Sequence, residues 1–248
     1  MASTIRYEFE PELVNPILIE GLPGVGNVGK IAADLVADKL NARLFARIFS
    51  DDLPPQVLVN EESVVEPVCH ELWYAQTPDG QDLVFLLGDF QGTSPAGQYN
   101  LSEFVFRTLL PHDPSLILTL GGYGLGQVVT EPRVIGVVSD PLMKTQYEPH
   151  GVQFIPNEPK GGIVGAAAML LAFGKIHGIK SLCIIGETSG FVIDAKSARN
   201  LIDVMSKMFN VDIDTSELQD SIDQLDAINN NACEIAAGVP KEDLSYIG

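Results

Sequence analysis

The sequence predicts an α/β fold, a mostly parallel sheet flanked by helices on both faces, on three observations. Short apolar runs such as Ile17–Glu20, Ser115–Leu120 and Ser181–Gly186 are near-continuous, as in strands covered on both sides. These runs alternate along the chain with segments of helical period. With 248 residues and 46% hydrophobic content, the chain can bury a sizeable core.

Each element has its own signal. After the strand Ile17–Glu20, residues 28–40 place Val28, Ile31, Ala32, Leu35, Val36 and Leu40 on one face, an amphipathic helix with Asn27 placed to cap it. Leu44–Ser50 reads as a second strand, and Gln56–Asn60 and Val64–Val68 as short ones. His70–Gln76 and Asp82–Leu87 flank Pro78-Asp79-Gly80, a hairpin turn. Leu101–Leu110 reads as a helix ending at Pro111. The strand Ser115–Leu120 runs into Gly121–Gly126, read as a second glycine loop, and Val134–Ser139 and Gly151–Ile155 read as further strands. Gly161–Lys175 reads as a helix buried on most sides, and Ser181–Gly186 as a strand before the turn Glu187–Gly190. Asp194 is placed to cap the helix Ala195–Phe209.

This organisation divides into an α/β core over 1–210 and a C-terminal extension over 211–248. In the extension Leu218, Ile222, Leu225, Ile228 (or Asn229), Ala232 and Ile235 recur at helical steps, with Glu217, Asp220, Asp223 and Asp226 off the stripe. Such a stripe packs on its own domain or forms an oligomer contact. Gly238-Val-Pro240 ends it, and the tail carries Leu244, Tyr246 and Ile247.

The formal charge of −18, from 33 acidic and 15 basic residues, opposes a nucleic-acid or anionic-membrane surface and suits a basic protein partner. No apolar run reaches the ~18–20 residues of a spanning helix, and Thr4–Glu10 lacks a signal-peptide pattern. Cys69, Cys183 and Cys233 are scattered with no C-x-x-C, so they read as packing residues of a cytoplasmic protein.

Pro16–Lys30 is the stretch with the strongest chemical suggestion. Gly24, Gly26 and Gly29 have the G-x-G-x-x-G spacing, and Gly24 to Lys30 matches G-x-x-x-x-G-K. Backbone N–H groups at a helix start favour an anion, and Lys30 adds charge. Ile31 stands where a P-loop needs a hydroxyl for magnesium, and Pro23 stiffens the turn. Asp51 and Asp52 follow the Leu44–Ser50 strand at the position of a ribose-binding acid. The residues admit three readings: a tight structural turn, a surface that grips a partner, and an anion or nucleotide site. Gly88–Gly92, Gly121–Gly126 and Ser189 are placed to line one crevice with it at the carboxyl ends of the strands.

No catalytic set is found. His70, His112, His150 and His177 lie in separate segments and read as surface or capping residues; no spacing suggests a metal, and Glu187–Gly190 is not a nucleophile elbow. Neither cofactor nor catalytic residue is expected.

Gly21-Leu-Pro-Gly-Val-Gly-Asn-Val-Gly29, then Leu118-Thr-Leu-Gly-Gly122, Gly161-Gly-Ile-Val-Gly165 and Gly186-Glu-Thr188, in that order, resemble the proteasome assembly chaperone 2 family in its archaeal branch. The resemblance covers roughly residues 15 to 210, and Leu22-Pro23 within the glycine run sets it apart from both nucleotide fingerprints. It implies a three-layer fold related to nucleoside phosphorylases, a homo-oligomer, and a non-catalytic chaperone that binds proteasome α-subunits and promotes their assembly. It also implies a partner-binding tail, Leu244, Tyr246, Ile247 and Gly248; Gly21, Gly24, Gly26, Asn27, Gly29, Lys30, Gly121, Gly122 and Glu187 are the candidate ligand or partner loop. Tyr246 is third from the end where the family's tail pattern has it penultimate. A one-residue shift moves an extended chain by ~3.3 Å and reverses its faces. The tail therefore docks in a modified way, serves another client, or is structural. The alternative function is a nucleoside-, nucleotide- or phosphate-binding protein or enzyme using the glycine loop.

Overall fold

The structure, a computed structural model, describes residues 3–227. One eight-stranded sheet runs in the order β1 (Thr4–Tyr7), β3 (Arg43–Phe49), β6 (His70–Gln76), β7 (Asp82–Gly88), β2 (Ile17–Glu20), β8 (Leu116–Gly124), β10 (Ser181–Thr188) and β9 (Val134–Val138). The central strands β7, β2, β8 and β10 are parallel. β9 joins one side antiparallel, and β6, β3 and β1 extend the other side antiparallel. The apolar runs that predict a buried parallel sheet are these central strands. β6 and β7 meet through the expected turn, where Gly80 takes φ +84° and its N–H donates to Thr77 O.

Helices α1 (Val28–Lys39) and α5 (Ala195–Phe209) cover one face, packing Ala32, Val36, Leu201 and Met205 onto Ile19, Phe85, Leu118 and Ile184. Helices α2 (Pro95–Leu109) and α4 (Gly165–His177) cover the other, packing Leu101, Val105, Phe106, Leu170 and Phe173 onto Leu18, Val84, Leu86 and Ile117. Alternation along each strand feeds both cores, because successive side chains point to opposite faces. A separate hairpin, β4 (Val57–Val59) with β5 (Val65–Pro67), stands beside β3 and β6, and α3 (Lys144–Tyr147) is a single turn.

Several boundaries differ from the sequence reading, each for a local reason. α2 starts earlier than Leu101, because the Ser94 hydroxyl accepts from the Gly97 N–H at 3.0 Å and Pro95 occupies the first helical position. α4 starts at Gly165, which takes φ +79°, and continues to His177. Gly151–Ile155 forms only one bridge, Ile135 with Gln153. Asn27 precedes α1 but takes φ 50° and makes no side-chain cap. Asp194 caps α5 as expected, accepting from the Ser197 N–H at 2.9 Å.

The most consequential correction concerns Gly121–Gly124, which continue β8 instead of forming a loop. A Cβ on Gly122 would lie 2.1 Å from Val25 O, and one on Gly29 would lie 2.5 Å from Leu120 O. α1 and its leading turn rest directly on the backbone of β8, and only glycine permits that distance. A Cβ on Gly21, just after β2, would lie 2.1 Å from the Ala33 side chain of α1, and one on Gly186 in β10 would lie 2.1 Å from the Ser197 hydroxyl of α5.

Residues 219–227 are helical; Ile222 and Leu225 are buried and Leu218 half-buried, so this part of the predicted stripe packs on its own domain. Ile228, Asn229, Ala232, Ile235 and Cys233 lie outside the described residues, as does the tail with Leu244, Tyr246, Ile247 and Gly248. Among the described residues no helix is long and apolar enough to cross a membrane.

Two glycines of one motif should therefore respond differently to a methyl group. Gly29→Ala is expected to lower stability by about 1–3 kcal/mol through overpacking. Gly24→Ala, with extended backbone and no atom within 4 Å of the new Cβ, should stay within about 0.5 kcal/mol of the wild type in urea unfolding. Equal losses would mean that α1 does not rest on β8 as described.

Candidate functional site

The loops after β2, β7, β8 and β10 meet at the carboxyl edge of the parallel strands, where open α/β sheets take their ligands. The turn after β2 is closed on itself. Gly26 and Asn27 take φ 62° and 50°, the Asn27 N–H donates to Gly24 O at 3.0 Å, and the Val28 N–H donates to Val25 O. Two N–H groups that would face a phosphate are thus committed to the chain. The Asp194 N–H donates to Gly26 O at 2.9 Å, tying the start of α5 to the same turn.

The expected crevice is closed as well. The Leu125 N–H donates to Thr188 O at 2.9 Å and the Gly126 N–H to Ser189 O at 3.2 Å, so the segments after β8 and β10 zip together. Gln91, after β7, donates from Nε2 to Pro23 O at 2.7 Å and accepts from the Ala166 N–H at 3.1 Å. One amide side chain thereby clamps the glycine turn to the start of α4.

The charged groups are equally engaged. The Lys30 ammonium lies 3.0 Å from Asp34 and 3.3 Å from Asp89. Burial opposes its charge, but the two carboxylates together raise its pKa, and they neutralise it as an anion receptor. Glu187 is almost wholly buried and holds Arg133 through both oxygens, with a further 3.1 Å bond from the Arg133 N–H. The Arg133 hydrogen bonds, outweighing burial, keep its carboxyl below the usual range. Glu187 therefore anchors the segment entering β9. For the dinucleotide reading, the strand before Asp51 and Asp52 must lie parallel beside β2; β3 instead pairs antiparallel with β1 and β6.

Gly21, Gly24, Gly26, Asn27, Gly29 and Lys30 thus belong to one turn and helix start, and Gly121 and Gly122 form the strand beneath it. Glu187 faces away into its own ion pair. Outward, the same edge exposes Val25, Val164, Phe191 and Ile193 at 45, 81, 76 and 64%. Phe191 and Ile193 border a shallow groove of about 630 Å³ between the glycine turn and the helical residues Ser221, Gln224 and Leu225. Lone apolar side chains in polar loops carry no spacing signal, so these residues are not legible as a site in the sequence.

Two buried groups stand out, and the first corrects an expectation, since His70 reads from the sequence as a surface or capping residue. His70 is a core residue: its Nε2–H donates to Phe90 O at 2.9 Å, and burial lowers its pKa to about 4. Glu20, at the end of β2, is 1% exposed, accepts from the Leu22 N–H at 3.1 Å, and has no hydrogen-bond partner for Oε2 among the described residues. Burial raises its pKa to about 8 against backbone bonds that lower it, so it is protonated at neutral pH. Among the described residues, no group of three or more His, Cys, Asp or Glu is placed to hold a metal ion.

Glu20 gives stability a defined pH dependence. Its folded pKa lies above its unfolded value, so its contribution is complete below about pH 4.5 and lost as pH rises through about 8. Glu20→Gln removes that loss. The variant should match the wild type near pH 4.5 and exceed it increasingly towards pH 9, on the order of 4 kcal/mol from the size of the shift. Parallel stability curves from pH 5 to 9 would refute the assignment.

The model of the PAC2 family matches residues 18–231. The uncharacterized protein MJ1210 of Methanocaldococcus jannaschii is 33% identical over 97% of this chain and 95% of its own length. Among solved structures, Pyrococcus furiosus PbaB, described as an archaeal proteasome activator, superposes with a TM-score of 0.86 at 32% identity, covering 93% of this chain and 98% of its own. Pyrococcus furiosus PbaA, described as an archaeal homolog of proteasome-assembly chaperone, gives 0.75 at 25% identity over 94% and 93%.

Proposed function

The chain belongs to the PAC2 family, and from that premise we propose that it is a non-catalytic assembly factor that binds α-subunits of the proteasome core particle and promotes their assembly. The observation that carries this reading is the state of the carboxyl edge. The place where an α/β enzyme would bind a small ligand is filled by the chain's own backbone and rimmed by Val25, Val164, Phe191 and Ile193. An edge of that kind suits the apolar anchors of a protein contact. The similarity to PbaB, an archaeal proteasome activator, and to PbaA, an archaeal homolog of proteasome-assembly chaperone, supports the choice of client.

In this reading the core over 1–210 presents the apolar edge, and the extension over 211–248 carries the tail residues Leu244, Tyr246, Ile247 and Gly248 as a second contact. The −18 charge favours a basic client face and speeds its encounter. Binding holds subunits in register or shields their faces, using contact area in place of chemistry. The protein acts as a homo-oligomer in the cytoplasm.

Capture of proteasome α-subunits from lysate of the source organism tests this. The tagged full chain should recover them, and Phe191→Ser with Ile193→Ser should reduce recovery at least tenfold, the loss of an anchor worth about 1.4 kcal/mol or more. Removal of residues 239–248 should weaken recovery independently. Failure of the full chain to recover any α-subunit would overturn the proposal.

A further inference from the structure

On the face that α1 covers, the sheet runs on past the helix through β6, β3 and β1, and the β4–β5 hairpin lines the space beyond with Leu58 and Glu66. Between helix, strands and hairpin lies a cavity of about 880 Å³, large enough for a small organic ligand. Its floor is held in place by its own hydrogen bonds. The Trp73 Nε1–H donates to Glu71 at 2.9 Å, Glu71 also accepts from Arg47 Nε at 3.3 Å, and Arg47 reaches on to Glu8. A floor fixed in this way costs a ligand little ordering.

Charge is divided across the cavity. At the β1 end Arg6 lies directly opposite Arg47 on the neighbouring strand, an unfavourable pairing of like charges. Arg47 is balanced by Glu8 and Glu71, whereas exposed Arg6 has no ion-pair partner among the described residues. At the α1 end carboxylates are in excess. Lys30 is shared between Asp34 and Asp89, and Asp38, one turn along the helix, shares Lys39 with Glu217. Burial raises the Asp34 pKa, Lys30 lowers it, and Asp89 and Glu71 raise it further, so an added cation would stabilise this end. Trp73, Phe49 and Leu58 give the cavity an apolar lining besides.

The separation of the two ends limits the ligand. From β1 to β7, the strand that leads into Asp89, is three strand spacings, about 14 Å. The side chains of Arg6 and Asp34 take up part of that span, leaving roughly the 7–10 Å of two or three extended residues. A free amino acid carries both charges on one carbon and is too short to join them. A phosphate ester would meet the excess of carboxylates and be repelled.

We propose that this cavity binds a short peptide of two or three residues with free ends and an apolar side chain. Its carboxylate pairs with Arg6, its ammonium sits against Asp34 and Asp38, and its side chain lies on Trp73. The cavity shares no lining residue with the rim of Val25, Val164, Phe191 and Ile193, so this site is separate from the client contact.

Trp73 is the single tryptophan of the chain, so its fluorescence reports on this cavity. Titration of the purified full chain with alanyl-leucyl-alanine to millimolar concentration should give a saturable change, matched by calorimetry. Acetylating the amino end of the peptide or amidating its carboxyl end should each weaken binding at least tenfold. Arg6→Ala should weaken binding of the free peptide at least tenfold and leave that of the amidated form unchanged. Asp34→Asn should likewise weaken the free peptide and spare the acetylated one. Arg6 is exposed, so its variant keeps the proposal testable if the Asp34 variant fails to fold. No client takes part, so the outcome is independent of the proteasome reading. Absence of a saturable response, dependence on one end of the peptide alone, or indifference to both substitutions would overturn the proposal.

Discussion

The contact between α1 and the backbone of β8 is the constraint on which the rest depends. Gly29 sits over the Leu120 carbonyl and Gly122 beneath the Val25 carbonyl, at separations that exclude any side chain. Gly21, just after β2, and Gly186, in β10, likewise leave room for the Ala33 and Ser197 side chains of α1 and α5. Helix and sheet are thereby locked at backbone distance, and the turn before α1 is pressed onto the strand where a phosphate would otherwise rest. Of the glycines that resemble a ligand motif, Gly29 serves packing and Gly26 a left-handed turn.

A turn closed in this way has its neighbouring charged groups engaged as well. Lys30 is neutralised by two carboxylates, and Glu187 is committed to Arg133. His70 is kept neutral and Glu20 protonated by burial, and burial pushes the Cys183 thiol up to about 12. At neutral pH none of these groups is poised as a nucleophile or an acid–base pair. The molecule also presents an apolar rim at the carboxyl edge and an exposed apolar hairpin beside β3 and β6, on a strongly acidic body. Contact surfaces of that kind suit a protein that organises other proteins.

Much of the fold was legible because it rests on local physics. The parallel core followed from apolar runs, the β6–β7 turn from Pro78-Asp79-Gly80, and α5 from Asp194, each a short-range signal. The start of α2 is legible in Ser94-Pro95, since serine followed by proline is a helix-start signal, and it outweighs the apolar period that begins at Leu101. The continuation of β8 through Gly121–Gly124 was not legible, because glycine marks a loop by default and a strand only when something lies against it. The candidate site divides the same way. Its glycine turn was found by spacing, whereas the rim of Val25, Val164, Phe191 and Ile193 comes from segments distant in sequence.

By itself the sequence determined the strand and helix inventory, the acidic surface, and the presence of a glycine turn between β2 and α1. These depend on residue type, period and neighbours a few positions away. Only the tertiary structure decided what the turn is for. Whether a glycine leaves room for an anion or for another strand depends on which backbone lies within 3 Å of it, and that is set by chain packing across some ninety residues, from Gly29 to Leu120 and from Val25 to Gly122.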